Sequence, residues 1–203
     1  TRPNVELVTT KIARITASGI ETEDGLDRPV DTIVYATGFH AQDFLSPMEI
    51  VGRDGRRLHE QWRDGAQAYL GVAVPYFPNL FLLLGPNTIL GHNSNVFMME
   101  RQVRYVIQCL RMLSAGPSRG IEVRPQVMAD YQRRLDRSIG RTVFQDCQSW
   151  YRNESGRVTN PWPRSTVRYW WSLRHVDPAA FQTVPGSRGP IGTVGTRTPS
   201  PAG

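Results

Sequence analysis

Residues 79–102 read NLFLLLGPNTILGHNSNVFMMERQ and constrain the fold more than any other stretch. Residues 80–84 form an apolar run that predicts a buried strand. From Val96 to Leu113 apolar residues recur at helical spacing. Val96, Met99, Val103, Val106, Leu110 and Leu113 make an apolar stripe, with Glu100, Arg101, Arg104 and Arg111 on the other face. Between strand and helix lie three asparagines, a histidine, a serine and two glycines. A strand that passes through a glycine-hinged polar loop into a helix N-terminus is an α/β arrangement. It is also a place for an anion or a dipole, because first-turn N–H groups lack intrahelical partners and carry partial positive charge. Ser94 or Asn95 suits the N-cap. Phosphate is one guest, although no lysine follows a glycine in phosphate-loop spacing. A carbonyl that gains negative charge during catalysis is another. From pattern alone, a structural turn and a cofactor site stand equal.

Upstream, residues 4–39 predict a small β-meander. VELVTT and KIARITASG alternate apolar with polar residues, 21–28 is a polar turn containing Asp24-Gly25, and Ile33, Val34 and Tyr35 form a short strand ending at Gly38. Residues 41–78 are broken by glycines and prolines, with one helical turn at 58–62. After the long helix, Gly116-Pro117 is a stop, and a second helix is expected from Pro125 to Ile139 on Val127, Met128, Tyr131 and Leu135. Residues 142–181 are rich in aromatics, with a last helix expected near Ser165. Residues 183–203 are Gly/Pro/Ser/Thr-rich and predict a disordered tail.

The chain has 203 residues, of which 39% are apolar, so most of it can bury a core. Net charge is +6, carried almost entirely by arginines scattered among acids, which reads as a solvated surface rather than a nucleic-acid face. Cys109 and Cys147 form no disulfide framework, and Cys109 falls in the long helix as a small core residue. The four histidines, His92 among them, form no metal pattern. No run is long enough to span a membrane, and a soluble cytoplasmic protein is the expectation. Asn153-Glu154-Ser155 is a formal glycosylation sequon with no signal peptide before it. The start Thr1-Arg2-Pro3 reads as a chain cut mid-protein.

Four blocks in order resemble class B flavoprotein monooxygenases of the Baeyer–Villiger type. VDTIVYATGF resembles their D-x-[IV]-[IV]-x-A-T-G-[FY] strand. LHEQWRDGAQAYLGVAVPYFPNLF and FPNLFLLLGPNTILGHNSNVFMMERQ are similar to the stretch that follows and to the family's G-P loop and helix. CQSWYRNESGRVTNPWPRSTVRYW resembles a C-terminal segment. The resemblance covers residues 4–175. It implies the C-terminal part of a flavoprotein with two dinucleotide-binding domains, for FAD and NADPH. Residues 1–38 would end the NADPH-binding domain, 39–182 would be the C-terminal segment of the FAD-binding domain, and 183–203 the tail. Ser94, Asn95 and Val96 would hold the flavin pyrimidine edge, with Gly85, Pro86 and Asn87 shaping the approach. Leu90, His92 and Asn95 would line the substrate pocket. Thr37 and Gly38 match the exit from the NADPH domain, and Trp150 matches a tryptophan that contacts NADP. The family's Pro-Gly-Lys after that tryptophan is replaced here by Asn153 to Arg157. By itself His92 reads as a polar surface or pocket-wall residue rather than an acid or base, and Trp150 as core almost as readily as a contact.

No G-x-G-x-x-G occurs in the chain, whereas the family has two. The arginine that serves catalysis in the family lies upstream of the matching segment, so no catalytic residue is expected here, and the chain alone is expected to be inactive. The reaction implied for a complete enzyme is reduction of FAD by NADPH, formation of a C4a-peroxyflavin with O₂, and insertion of oxygen into a ketone to give an ester or lactone. N- or S-oxygenation is the alternative within the class, and a non-catalytic basic binding module the alternative outside it.

Overall fold

A computed structural model describes residues 2–116, 118–146, 150–184 and 195–196. Contacts divide the chain into two units, Thr1–Phe39 and His40–Gly203. The first is a three-stranded antiparallel meander of β1 (Ile12–Ile15), β2 (Gly19–Thr22) and β3 (Asp27–Pro29). Its hairpin closes on Thr22, whose hydroxyl donates to Asp24 Oδ1 at 2.5 Å, with Gly25 at φ 78 supplying the left-handed corner. The expected polar turn 21–28 therefore shrinks to its middle, because both its ends join the ladder. Two expected strands are not strands. VELVTT and residues 33–35 run without a ladder, and Val34, Tyr35 and Phe39 are exposed. Alternation gives a segment strand character only when a neighbour accepts and donates its hydrogen bonds. None of the described residues lies beside these two as a paired strand.

The second unit contains β4 (Met48–Glu49), α1 (Leu58–Gln61), α2 (Asn95–Ser114), β5 (Gly120–Val123), α3 (Pro125–Ile139), α4 (Thr166–Ser172), β6 (Phe181–Val184) and β7 (Gly195–Thr196). β5 pairs antiparallel with β6, and β4 with β7. Thr183 and Val184, assigned by sequence to the tail, thus complete a strand. Except for β7, the remainder of 183–203 lies outside the described residues. α3 starts with Pro125 in its first turn and α4 is capped by Ser165 Oγ, as the sequence indicated.

The main core gathers around α2, with Tyr105, Cys109, Val123, Leu135, Tyr169 and Phe181 among its members. A second cluster centres on Leu58, Trp62, Val74, Phe77 and Leu82. Every residue of β5 is buried, including Glu122, whose carboxylate takes a two-pronged contact from Arg53 (3.2 and 2.8 Å) and a third from Gln182 Nε2 (2.7 Å). The pair ties the turn at Arg53 to the sheet.

α2 has the expected limits, but its buried face is a different one. Met98, Gln102, Tyr105 and Cys109 point inward, while Val96, Val103 and Leu110 remain 59%, 41% and 45% exposed. The inner face is displaced by one residue, about 100° around the helix. Gln102 occupies the core because both ends of its amide find partners there. A count of apolar residues cannot register that.

Candidate functional site

Residues 80–84 approach the site as an extended run and not as a full strand. Phe81 bridges to Ala73, the Leu82 N–H reaches the Val72 carbonyl at 2.8 Å, and Leu83 is exposed. The run ends because Leu84 turns left-handed (φ 52) and gives its N–H to Gln102 Oε1 at 2.9 Å instead of to a neighbouring strand. From there the chain enters a loop fastened on several sides. Gly85 and Gly71 touch backbone to backbone, and a Cβ on Gly85 would collide with the Gly71 carbonyl. The Thr88 hydroxyl donates to the Gly85 carbonyl at 2.6 Å.

Asn87, buried and left-handed (φ 56), sends its side-chain N–H groups to the carbonyls of Val158 (2.9 Å) and Pro161 (3.3 Å). Its own backbone N–H reaches the Thr159 carbonyl at 2.6 Å, and Ile89 continues the pairing with Asn160 and Trp162. Segment 158–162 therefore clamps the loop from one side. The clamp is held in turn by Ala41 and Gln42. Asn160 Nδ2 donates to the Ala41 carbonyl at 3.0 Å, the Thr159 hydroxyl contacts Gln42 Oε1, and Gln42 Nε2 contacts the Trp150 carbonyl.

Beyond Leu90 the chain emerges. Residues 91–94 are exposed, His92 included, and Gly91 has open space around it. Ser94 Oγ accepts from the Phe97 N–H at 3.3 Å and caps α2, which settles the choice between Ser94 and Asn95. Asn95 turns its side chain back, so that its Oδ1 accepts from the Leu90 N–H at 2.8 Å. The backbone N–H groups of Asn95 and Val96, in the first turn, have no intrahelical carbonyl in reach.

The sequence-predicted residues thus separate into four groups. Gly85, Pro86 and Asn87 are buried beneath the loop, and Leu90 packs into the core, so its side chain does not line an open surface. His92, Ser94 and Val96 are exposed on the outer side of the loop, with Asn95 half-buried between them. Trp150 is 60% exposed, its ring edge-on to Tyr151 at 5.7 Å, so it is not core. Thr37 and Gly38 belong to the first unit, where Gly38 is left-handed (φ 85) with nothing near a built Cβ.

Sequence reading missed the supports, namely Gln102, Tyr169, Gln42 and the 158–161 clamp. The only local signal was a glutamine on a helix otherwise read by its apolar residues. Burial pushes the Tyr169 phenol well above its ordinary value, so it acts as a neutral hydrogen-bonding group. Among the described residues no cluster of ligating side chains could hold a metal, and no helix is long and apolar enough to cross a membrane. Arg14, Arg28, Arg53, Arg57, Arg133 and Arg157 each face a carboxylate.

No family model matches the chain. It is 41% identical over 184 residues to the FAD-binding monooxygenase ktnD of Aspergillus niger, a match covering 88% of this chain and 30% of that protein. A Baeyer–Villiger monooxygenase of Pseudomonas aeruginosa is 40% identical over 181 residues, covering 88% of this chain and 34% of that one. Among solved structures, closed cyclohexanone monooxygenase superposes with a TM-score of 0.74 at 29% identity, and NADP-bound steroid monooxygenase with 0.73 at 34%. Each covers 91% of this chain and 36% of the other.

The chain is of α/β fold and, over most of its length, is similar to proteins named as FAD-binding and Baeyer–Villiger monooxygenases. More narrowly, it matches the C-terminal part of class B monooxygenases of the Baeyer–Villiger type, and it spans about a third of the length of the relatives it matches.

Proposed function

We propose that this chain is the flavin-facing C-terminal part of an FAD-containing, NADPH-dependent monooxygenase that converts a ketone, O₂, NADPH and a proton into an ester or lactone, water and NADP⁺. The observation that carries the reading is the exposed, capped N-terminus of α2 on a loop clamped from several sides, in a chain whose relatives are named for FAD and Baeyer–Villiger chemistry. The groups at that N-terminus suit a flavin. The backbone N–H groups of Asn95 and Val96 offer fixed dipoles to a carbonyl edge that becomes negative, and Ser94 is occupied in capping and keeps them in place. When bound and reduced, the flavin supplies the activation of O₂.

In this reading the chain's own residues bind and orient. Ser94, Asn95 and Val96 meet the flavin edge, and Gly85, Pro86 and Asn87 form the floor beneath them. His92 and the exposed 91–94 loop face the substrate, while Leu90 fixes that loop from the core. Thr37 and Gly38, at the exit from the NADPH-binding domain, are assigned to cofactor binding, and the exposed Trp150 to NADP contact. No residue of this chain is assigned the oxygen-transfer step. Because the chain holds no G-x-G-x-x-G, it is expected to bind FAD poorly and to be inactive alone.

The test is to supply the full-length gene product with FAD, NADPH and O₂ and offer it a cyclic ketone and a thioether in separate reactions. Lactone formation supports the reading. Sulfoxide without lactone moves the function to heteroatom oxygenation, and a colourless protein that consumes no NADPH overturns both.

A further inference from the structure

Three non-glycine residues around the loop adopt left-handed backbone: Leu70 (φ 55), Leu84 (φ 52) and Asn87 (φ 56). Such conformations are uncommon and persist where the surroundings over-determine them. Asn87 is held by its own side chain, as described above. Leu70 and Leu84 are held by one buried chain of hydrogen bonds. The Leu84 N–H donates to Gln102 Oε1 (2.9 Å), Gln102 Nε2 donates to the Tyr169 hydroxyl (2.7 Å), and that hydroxyl donates to the Leu70 carbonyl (2.8 Å).

The side chains in the middle, Gln102 and Tyr169, are fully buried. The direction of every bond is fixed, since only an oxygen of the amide can accept from Leu84 and only the nitrogen can donate onward. The two turns so linked also touch through Gly71 and Gly85, so neither shifts without the other. Gln102 lies on the helix whose first turn is Ser94 to Val96, about two turns further along. One side chain therefore fixes the spacing between the loop floor at residues 84–87 and the helix N-terminus above it.

We infer that Gln102 and Tyr169 are positioning residues for the flavin site. They hold the left-handed backbone of Leu84 in register with the α2 N-terminus, and through it set the affinity and spectrum of the bound flavin. The inference rests on the proposed function, because it takes the flavin to lie against this loop. A core hydrogen bond with no further role would affect stability alone.

The experiment compares the full-length gene product with its Q102L, Q102E and Y169F variants. FAD affinity is measured by titrating deflavinated protein, and the visible flavin spectrum and the Tm are recorded beside it. Q102L leaves the Leu84 N–H without its acceptor and is expected to weaken FAD binding about tenfold or more and to shift the flavin absorbance. Y169F, which removes a single hydroxyl and serves if Q102L fails to fold, is expected to weaken it about threefold.

In Q102E a protonated carboxyl reproduces both bonds, its carbonyl accepting from Leu84 and its hydroxyl donating to Tyr169, so affinity and spectrum return toward the parent at low pH. If Q102L and Y169F lower the Tm but keep the parent's FAD affinity and spectrum, the positioning role is overturned. If the parent itself binds no FAD, the proposed function has failed, and that result is visible before any variant is made.

Discussion

Gly85 lies against the Gly71 carbonyl, and Gly71 lies against Thr88 of the same loop, so neither glycine has room for a side chain. A Cβ on Gly85 would strike the Gly71 carbonyl oxygen, and one on Gly71 would strike Thr88 Cγ2. Gly71 is also left-handed (φ 69), so alanine there adds backbone strain to the collision. G71A is expected to destabilise the chain by about 2–4 kcal/mol and G85A by about 1–3 kcal/mol, from overpacking and strain. Urea unfolding measures both, and a loss of less than half a kcal/mol in either would mean that the turns can separate freely.

Asn87 tests the clamp. N87A leaves the carbonyls of Val158 and Pro161 without their buried donor, for an expected cost of about 2–4 kcal/mol. N87D places acceptors against acceptors and should cost at least as much. N87G loses the same bonds but relaxes the left-handed backbone, so it should be the mildest of the three. A different order in chemical denaturation would assign the cost to something other than these two contacts.

The Arg53–Glu122 pair predicts that a second substitution restores stability lost to the first. R53M leaves a fully buried carboxylate with Gln182 as its remaining partner, at an expected cost of about 3 kcal/mol. Adding E122M removes the orphaned charge, and the double variant should recover much of that loss. A double-mutant cycle by urea unfolding reads the coupling, and additive losses would contradict it.

Burial sets an alkaline limit. It pushes the Cys109 thiol from 9.0 up to about 12 and raises the phenols of Tyr105, Tyr131 and Tyr169. Between these values the folded thiol keeps a proton that the unfolded one has lost. Its share of stability is therefore complete below pH about 9 and is lost as pH rises toward about 12. C109A should make the alkaline decline shallower by up to about 1.4 kcal/mol per pH unit in that window, the tyrosines carrying the rest. Unfolding free energies at several pH values between 8 and 11 give the slopes, and parallel slopes would refute the assignment.

The two faces of α2 should respond oppositely. M98A, on the inner face, is expected to cost about 2–5 kcal/mol in this chain. V103E and L110E, on the face with the more regular apolar spacing, should stay within about half a kcal/mol. Thermal melts of the 203-residue chain separate the cases, and a large loss in V103E would return the core to the sequence-predicted stripe.

What could be read from sequence were features decided within one turn of chain. The start of α2 at Ser94 or Asn95, Pro125 opening α3, Ser165 before α4 and the helical turn at Leu58 all follow from caps, proline geometry and period, which act over three or four residues. The polar loop announced itself by composition for the same reason. The sequence also contained the ordered blocks that place the chain among its relatives.

Tertiary structure decided everything that depends on a distant partner. Residues 33–35 and 80–84 have the composition of strands, but a strand exists only with a ladder, and Leu84 gives its N–H to a helix side chain instead. The buried face of α2 was chosen by Gln102, a polar residue that enters a core only when Leu84 and Tyr169 wait there to satisfy it. Asn87 became part of the scaffold because carbonyls about seventy residues away face its amide. Hydrogen-bond satisfaction at such separations belongs to the folded packing, where burial makes an unpaired group costly, and no local pattern in the chain encodes it.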